Sequence, residues 1–185
     1  MATTFTIPTI ETERLILRAW REDDLDNFVD FWADAEQTKY VGGTRQRTEI
    51  WRAMSGANGG WSMRGCGMMA VESKETGELV GNAGLHFPEG WPEREVGWII
   101  LPQHQRKGYA SEAAIGALKY AYLDLGWQSA VSLIDKGNIA SEGVAKKLGA
   151  HMEQKDVSVT DFVSNIWRHL PPEEFLAAYG GQGHS

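Results

Sequence analysis

Residues 105–110 read Gln-Arg-Lys-Gly-Tyr-Ala, two cations and a glycine set between the apolar run Trp98-Ile-Ile-Leu101 and the helix-forming Ser111-Glu-Ala-Ala114. Pro102 stops the strand-like run, a short basic turn follows, and a helix begins. The first turn of a helix has unpaired N–H donors and a partial positive charge, which is a ready site for phosphate. Arg106 and Lys107, if they were only solvated cations, would oppose the helix dipole, so an anion between them makes better physical sense. The loop has one glycine, Gly108. That rules against both the Walker pattern and the three-glycine dinucleotide fingerprint, and no clear Mg²⁺-binding Asp follows a strand.

The remaining reactive residue types are sparse. Cys66 is the single cysteine; it precludes an internal disulfide, points to a reducing compartment and reads as a structural thiol. One cysteine and five histidines, widely scattered, do not make a structural zinc site, and no metal is expected.

Periodicity supplies the elements that must position the loop. Residues 15–20 are apolar and β-prone, and they run into Asp23-Asp24 at a helix start, with Leu25, Phe28, Val29 and Trp32 at helical spacing. The Gly-, Arg- and Ser-rich stretch 42–65 allows one short helix around Ile50, Trp51 and Met54. Strands are expected at 68–72 and 79–87, joined by the turn Lys74-Glu-Thr-Gly77, and a third at 95–101. Residues 108–125 form the clearest helix, with an apolar stripe of Ala113, Ala114, Ala117, Leu118, Ala121 and Leu125 and a stop at Gly126. A short buried strand at 130–134 precedes a helix at 139–148, capped by Asn138 and stopped by Gly149. Strands at 151–159 and 162–169 and a terminal helix at 171–179 complete the pattern. The expectation is one α/β (mixed α+β) domain over residues 1–179, a mixed sheet with helices on both faces, and a disordered tail over 180–185.

Composition bounds the partners. With 42% hydrophobic and 23% charged residues the chain is that of a globular protein able to bury a core. The net charge of −7 argues against nucleic acid as a partner and mildly favours a cationic one. No segment has the run of about 18 apolar residues a membrane span needs, and the N-terminus has no signal-peptide pattern, so the cytoplasm is the expected location.

Three pieces of the chain resemble the GNAT family of acetyl-coenzyme A-dependent N-acetyltransferases. Gln105-Arg-Lys-Gly-Tyr-Ala110, with Pro102 three residues before it, resembles the family's Q/R-x-x-G-x-G/A pyrophosphate loop; Ala110 stands where a second glycine is frequent. Asn138-Ile-Ala-Ser141, with Lys147-Leu-Gly149, resembles the second cofactor-binding segment. Thr12-Glu-Arg-Leu-Ile-Leu-Arg18, with Asp23-Asp24-Leu25, looks like the opening of the RimJ/RimL-type branch, that of the ribosomal-protein-alanine N-acetyltransferases. The pieces run in order from residue 12 to 149.

The resemblance implies a GNAT-like, mostly antiparallel, splayed mixed sheet and acetyl-CoA as co-substrate. It also implies an amine acceptor, either a protein N-terminal α-amine or a small-molecule amine, and a monomer or homodimer. The pyrophosphate would rest on the N–H groups from Arg106 through Lys107, Gly108 and Tyr109 to Ala110. The pantetheine arm would line the strand edge at Ile99, Ile100 and Leu101, where an N–H near Ile99 or Ile100 would also stabilise the oxyanion. Asn138 would bond the pantetheine amides, or serve only as a helix cap.

The acceptor must attack as a neutral amine. Deprotonating a lysine-type ammonium at pH 7 costs about 4–5 kcal/mol, against about 1 for an α-amine. Glu95, at the start of the strand that meets the thioester, is the best base candidate, directly or through water; its bland alternative is pairing with Arg94. His86 and Asp135 are weaker candidates. Many relatives place a tyrosine acid seven residues after the Asn, but Ala145 stands there; Ser141 is the nearest matching hydroxyl, which would hydrogen-bond the leaving sulfur or serve only in the first turn of the helix. Of the tryptophans before the loop (Trp20, Trp32, Trp51, Trp61, Trp91 and Trp98), one or two would line the acceptor cleft. A non-catalytic acyl-CoA sensor is the competing reading; it would keep the loop and turn over no amine.

Overall fold

The structure is a computed structural model, and it describes residues 5–160 and 162–181. Gln182 to Ser185, most of the expected disordered tail, lie outside the described residues. The elements are β1 (Ile10–Glu11), β2 (Leu15–Arg18), α1 (Asp24–Ala33), α2 (Ala35–Thr38), α3 (Arg47–Arg64), β3 (Met68–Ser73), β4 (Leu79–His86) and β5 (Glu95–Ile100). They continue with α4 (Tyr109–Leu123), β6 (Val131–Ile134), α5 (Ile139–Lys147), β7 (His151–Val159), β8 (Phe162–Arg168) and α6 (Pro172–Tyr179).

Eight strands form one sheet in the order β1-β2-β3-β4-β5-β6-β8-β7. Every neighbouring pair is antiparallel except β5–β6, which is parallel and is bridged by α4. This is the mixed, mostly antiparallel sheet with helices on both faces that the sequence led us to expect. Strand alternation sorts the two cores. Met69 and Val71 of β3 join Val80, Leu85 and Val96 beneath the alanine face of α4, at Ala113, Ala114, Ala117 and Ala121. Ala70, between them in sequence, turns to the other face, where Leu25, Phe28, Phe31 and Trp32 of α1 pack with Ile50 and Met54 of α3.

The largest departure from the sequence reading is α3, which runs for 18 residues rather than forming one short helix. Gly56, Gly59 and Gly60 lower its intrinsic propensity, but tertiary contact needs a small residue where the helix meets the sheet. A Cβ on Gly60 would lie 2.8 Å from the Cys66 carbonyl oxygen. A Cβ on Gly67, at the entry to β3, would overlap the Ala57 carbonyl oxygen and lie 2.8 Å from the Trp61 ring. Gly67→Ala is therefore expected to destabilise the fold by about 3 kcal/mol through overpacking, read as a lower urea midpoint with an unchanged m-value. A midpoint equal to that of the wild type would show that α3 can move off the sheet at little cost.

Candidate active site

The sheet parts between β5 and β6. Among the described residues the two strands share one register pair, Glu95 with Val131. Two side chains close the base of the resulting wedge: Ser132 Oγ donates to the Val96 carbonyl at 2.6 Å, and the Leu133 N–H donates to Glu95 Oε1 at 3.1 Å.

The free edge of β5 can be read from its ladder with β4. Leu101 N–H donates to the Val80 carbonyl, whereas the carbonyls of Val96 and Ile100 accept from Ser132 and from Gln105 Nε2, away from β4. Backbone direction alternates along an antiparallel strand. The N–H groups of Trp98 and Ile100 therefore face the wedge, while those of Ile99 and Leu101 face β4. Of the three strand-edge residues expected from the sequence, Ile100 presents its N–H to the gap. Trp98 does too, and the sequence reading assigned it no such part. The Trp98 ring packs between the core beneath α4 and a smaller core of Ile134, Ala145, Ala150 and Trp167.

Glu95 is buried at the wedge base, 8% exposed. Burial pushes its carboxyl up from 4.5 to about 7, partly offset by hydrogen bonds from the Leu133 N–H and from Trp91 Nε1 at 2.7 Å. Arg94, the partner considered from sequence, instead lies over the Trp127 ring. His86 stands opposite Glu95 in register, and its ring meets Trp91 edge-on at 4.8 Å. Burial lowers His86 to about 4, so it is neutral at pH 7. Asp135 is held away from this pair, accepting from Ser164 Oγ of β8 at 2.9 Å.

At the other end of β5 the basic loop stands at the head of α4. Arg106 has φ +61° and Gly108 φ +83°, with Lys107 between them outside the left-handed region. Alternation of this kind bends successive N–H groups into an anion-binding concavity. Among the described residues, no backbone N–H from Arg106 to Ser111 has a protein acceptor; the first of this helix to be paired is Glu112, on the Gly108 carbonyl. Gln105 donates its side-chain amide to the Ile100 carbonyl at 3.0 Å and so ties the loop to the strand.

The N-terminal segment braces this loop, a role that sequence reasoning missed. Arg14 donates from Nη1 to the Lys107 carbonyl at 3.0 Å and from Nε to Glu112 at 2.7 Å, while Thr12 Oγ1 donates to Glu112 at 2.6 Å. Glu112, placed favourably for the helix dipole, is thus neutralised before it can repel an anion. The only sequence signal was the pair of a cation at 14 and an acid at 112, too far apart to connect without the fold.

Asn138 caps α5, its Oδ1 accepting from the Ser141 N–H at 3.2 Å. The Ser141 hydroxyl is half-buried and makes no hydrogen bond among the described residues. Ala145 is fully buried against Trp167, Ile134 and Ala150, so a tyrosine would not fit there without repacking. Tyr40, from the connection between α2 and α3, reaches the β6–α5 turn, its hydroxyl 3.4 Å from where a Cβ on Gly137 would stand. Cys66 is buried and its thiol is pushed up by desolvation, which suits a structural residue. Trp20, Trp32 and Trp61 are core, Trp51 is half-exposed on α3, and Trp91 alone of the six bonds a candidate catalytic group. No group of three or more His, Cys, Asp or Glu among the described residues could hold a metal, and no helix there is long and apolar enough to cross a membrane.

Comparison with known proteins places the fold and the family. The chain is 29% identical over 177 residues to the uncharacterized N-acetyltransferase YoaA of Bacillus subtilis (strain 168), covering 90% of this chain and 99% of that protein. Its fold matches the crystal structure of an acetyltransferase from Agrobacterium tumefaciens str. C58 with a TM-score of 0.81 and 29% identity, over 92% of this chain and 98% of that one. The spermidine N-acetyltransferase of Vibrio cholerae, solved in complex with CoA and spermine, shares the fold at a TM-score of 0.67 and 19% identity, over 88% and 98% of the two chains. A family model described as the acetyltransferase (GNAT) domain matches residues 14–151. That span runs from the bracing Arg14 to the start of β7 and contains the wedge, the basic loop and α5, so the chain belongs to the GNAT family of acetyl-CoA-dependent acetyltransferases.

Proposed function

We propose that the protein acetylates a primary amine, a protein N-terminus or a small-molecule amine, by direct attack on acetyl-CoA with Glu95 as general base. The observation that carries the reading is a buried carboxyl at the vertex of the wedge, held between β5 and β6 with its ionisation moved to about 7. A base of that pKa is half ionised at neutral pH and strong enough to take the amine proton. His86, at about 4, would accept that proton less favourably by about 4 kcal/mol.

The other roles follow from position. The unpaired N–H groups from Arg106 to Ala110, Lys107, Gly108 and Tyr109 among them, cradle the pyrophosphate, with Gln105 holding the loop in place. The pantetheine amides run along the edge at Trp98 and Ile100, beside Ile99 and Leu101, and reach the α5 head at Asn138. An N–H of Trp98 or Ile100 faces the oxyanion as the amine nitrogen bonds to the thioester carbon. The proton lost from that nitrogen passes to Glu95, the C–S bond breaks, and the thiolate takes a proton from water or from Ser141.

The test is acetyl-CoA turnover over N-terminal peptides, polyamines, amino acids and aminoglycosides, followed by free-thiol release and the mass of the product. One amine class is expected to gain an acetyl group with release of one thiol per acetyl transferred. Tight acetyl-CoA binding without acetylation of any amine would overturn the reading in favour of a sensor.

A further inference from the structure

β4 and β5 lie antiparallel with His86 opposite Glu95, Gly84 opposite Gly97, and Asn82 opposite Ile99. Residues two apart on a strand share a face, so all six look to one side, the side on which Ile99 packs with α1 and α3. The middle pair is glycine on both strands. Between the row that holds the base and the row that holds Asn82, β4 and β5 therefore contribute no side chain, and the space is covered by Met68 of β3, which stands opposite Gly84. Glu95 leans into this space, its Oε1 3.9 Å from where a Cβ on Gly97 would stand. The flexible tip of Met68 reaches over the same point, with Cε at 3.6 Å and Sδ at 3.7 Å.

The Oδ1 of Asn82 is sealed from solvent and has no hydrogen-bond donor. Buried carbonyl oxygens are ordinarily paired, and one left bare costs its desolvation. Its diagonal neighbour across the ladder is Gly97, the residue over which the Glu95 carboxylate leans. A donor that displaced the Met68 thioether from above the glycine pair would lie between a carboxylate and an amide oxygen.

A primary amine attacking a thioester aims its lone pair at the carbonyl carbon and turns two N–H bonds away from it. As the C–N bond forms the nitrogen becomes cationic and both N–H bonds become stronger donors. Glu95 accepts one. We propose that Asn82 Oδ1 accepts the other, which makes Asn82 a positioning residue that orients the nucleophile and selects primary over secondary amines. The proposal rests on the acetyl-transfer reading above. A secondary amine has one N–H, must spend it on Glu95, and would leave an alkyl group against the Asn82 oxygen.

The test compares the best primary acceptor of the turnover screen with its N-methyl derivative, in the wild type, Asn82→Leu and Asn82→Asp. The wild type is expected to favour the primary amine by about 10–100-fold in kcat/KM. Asn82→Leu should lower kcat for the primary amine by a similar factor, leave the KM for acetyl-CoA unchanged, and erase the preference. Asn82→Asp keeps an acceptor oxygen, so it should keep the preference, while its added charge moves the acid limb of the rate profile to higher pH. Asn82→Ala, which only removes atoms, repeats the test should leucine crowd Met68 and unfold the protein. An intact preference in the leucine or alanine variant overturns the proposal and leaves the acetyl-transfer reading standing. Failure of the wild type to acetylate any amine overturns both.

Discussion

Glu95→Gln is expected to lower kcat/KM about 100-fold near pH 7.5 and to remove an ionisation near 7 from the rate profile. The sign follows from burial. Desolvation disfavours the charged carboxylate and moves its pKa from 4.5 up to about 7. Wild-type activity should therefore rise with pH through about 7, as Glu95 becomes able to accept a proton. Glutamine cannot ionise, so only the ionisation of the amine itself should remain, at higher pH. The deficit should shrink toward pH 10, where a neutral amine needs less help. Activity and pH profile unchanged in Glu95→Gln would pass the role to His86 or to water.

The same substitution makes a second, opposite expectation for stability. For an acid whose pKa is raised on folding, the folded state binds more protons than the unfolded state between the two pKa values. Stability then falls as pH rises from about 4.5 to about 7 and levels off above that. The shift amounts to about 3 kcal/mol of cost for the ionised group at pH 8. Glu95→Gln should therefore raise Tm at pH 8 and change it little at pH 4, while activity collapses. Trp91→Phe probes the group from its other side. The Trp91 N–H bonds the carboxylate and favours the ionised form, so its loss should move the acid limb of the rate to higher pH.

The parts of this site that were legible in the sequence are those in which chemistry and local structure coincide. The loop from Gln105 to Ala110 stands at a helix head, and α4 has an apolar stripe too regular to mistake. Glu95 was legible as a carboxylate at a strand start, but its pKa was not, because its burial, and the hydrogen bonds from Trp91 of the preceding turn and Leu133 of β6 that partly offset it, arise only in the fold. Trp98 was missed because the direction of a backbone N–H depends on ladder register, which no side-chain pattern reveals. Asn82 was passed over for the same reason, since what surrounds it across the ladder is a glycine pair and a base on another strand. The glycines that blurred α3 in sequence are, at Gly60 and Gly67, the condition for its packing. Low propensity there reflected a close approach rather than a missing helix.

Gly108→Asp is expected to weaken coenzyme A binding about 100-fold, equivalent to about 2.7 kcal/mol, while leaving the fold intact. Gly108 is exposed at the head of α4, so the change disturbs no core. Its φ of +83° is one that a side chain adopts only with strain, though aspartate tolerates it better than most. A Cβ there would stand 3.4 Å from Arg14 Nη2. The new carboxylate would compete for Arg14, loosening its hold on the Lys107 carbonyl and on Glu112. It would also bring a negative charge to the N–H groups that the pyrophosphate needs. Arg14→Ala separates the two effects, because it removes the brace without adding a charge, and a loss of about 10-fold is expected. Glu95→Gln, changed at the far end of β5, should bind coenzyme A as the wild type does. Calorimetric titration of all three variants with coenzyme A reads these differences directly. Wild-type affinity in Gly108→Asp would place the pyrophosphate elsewhere and leave the alternating loop at Arg106 and Gly108 without a ligand.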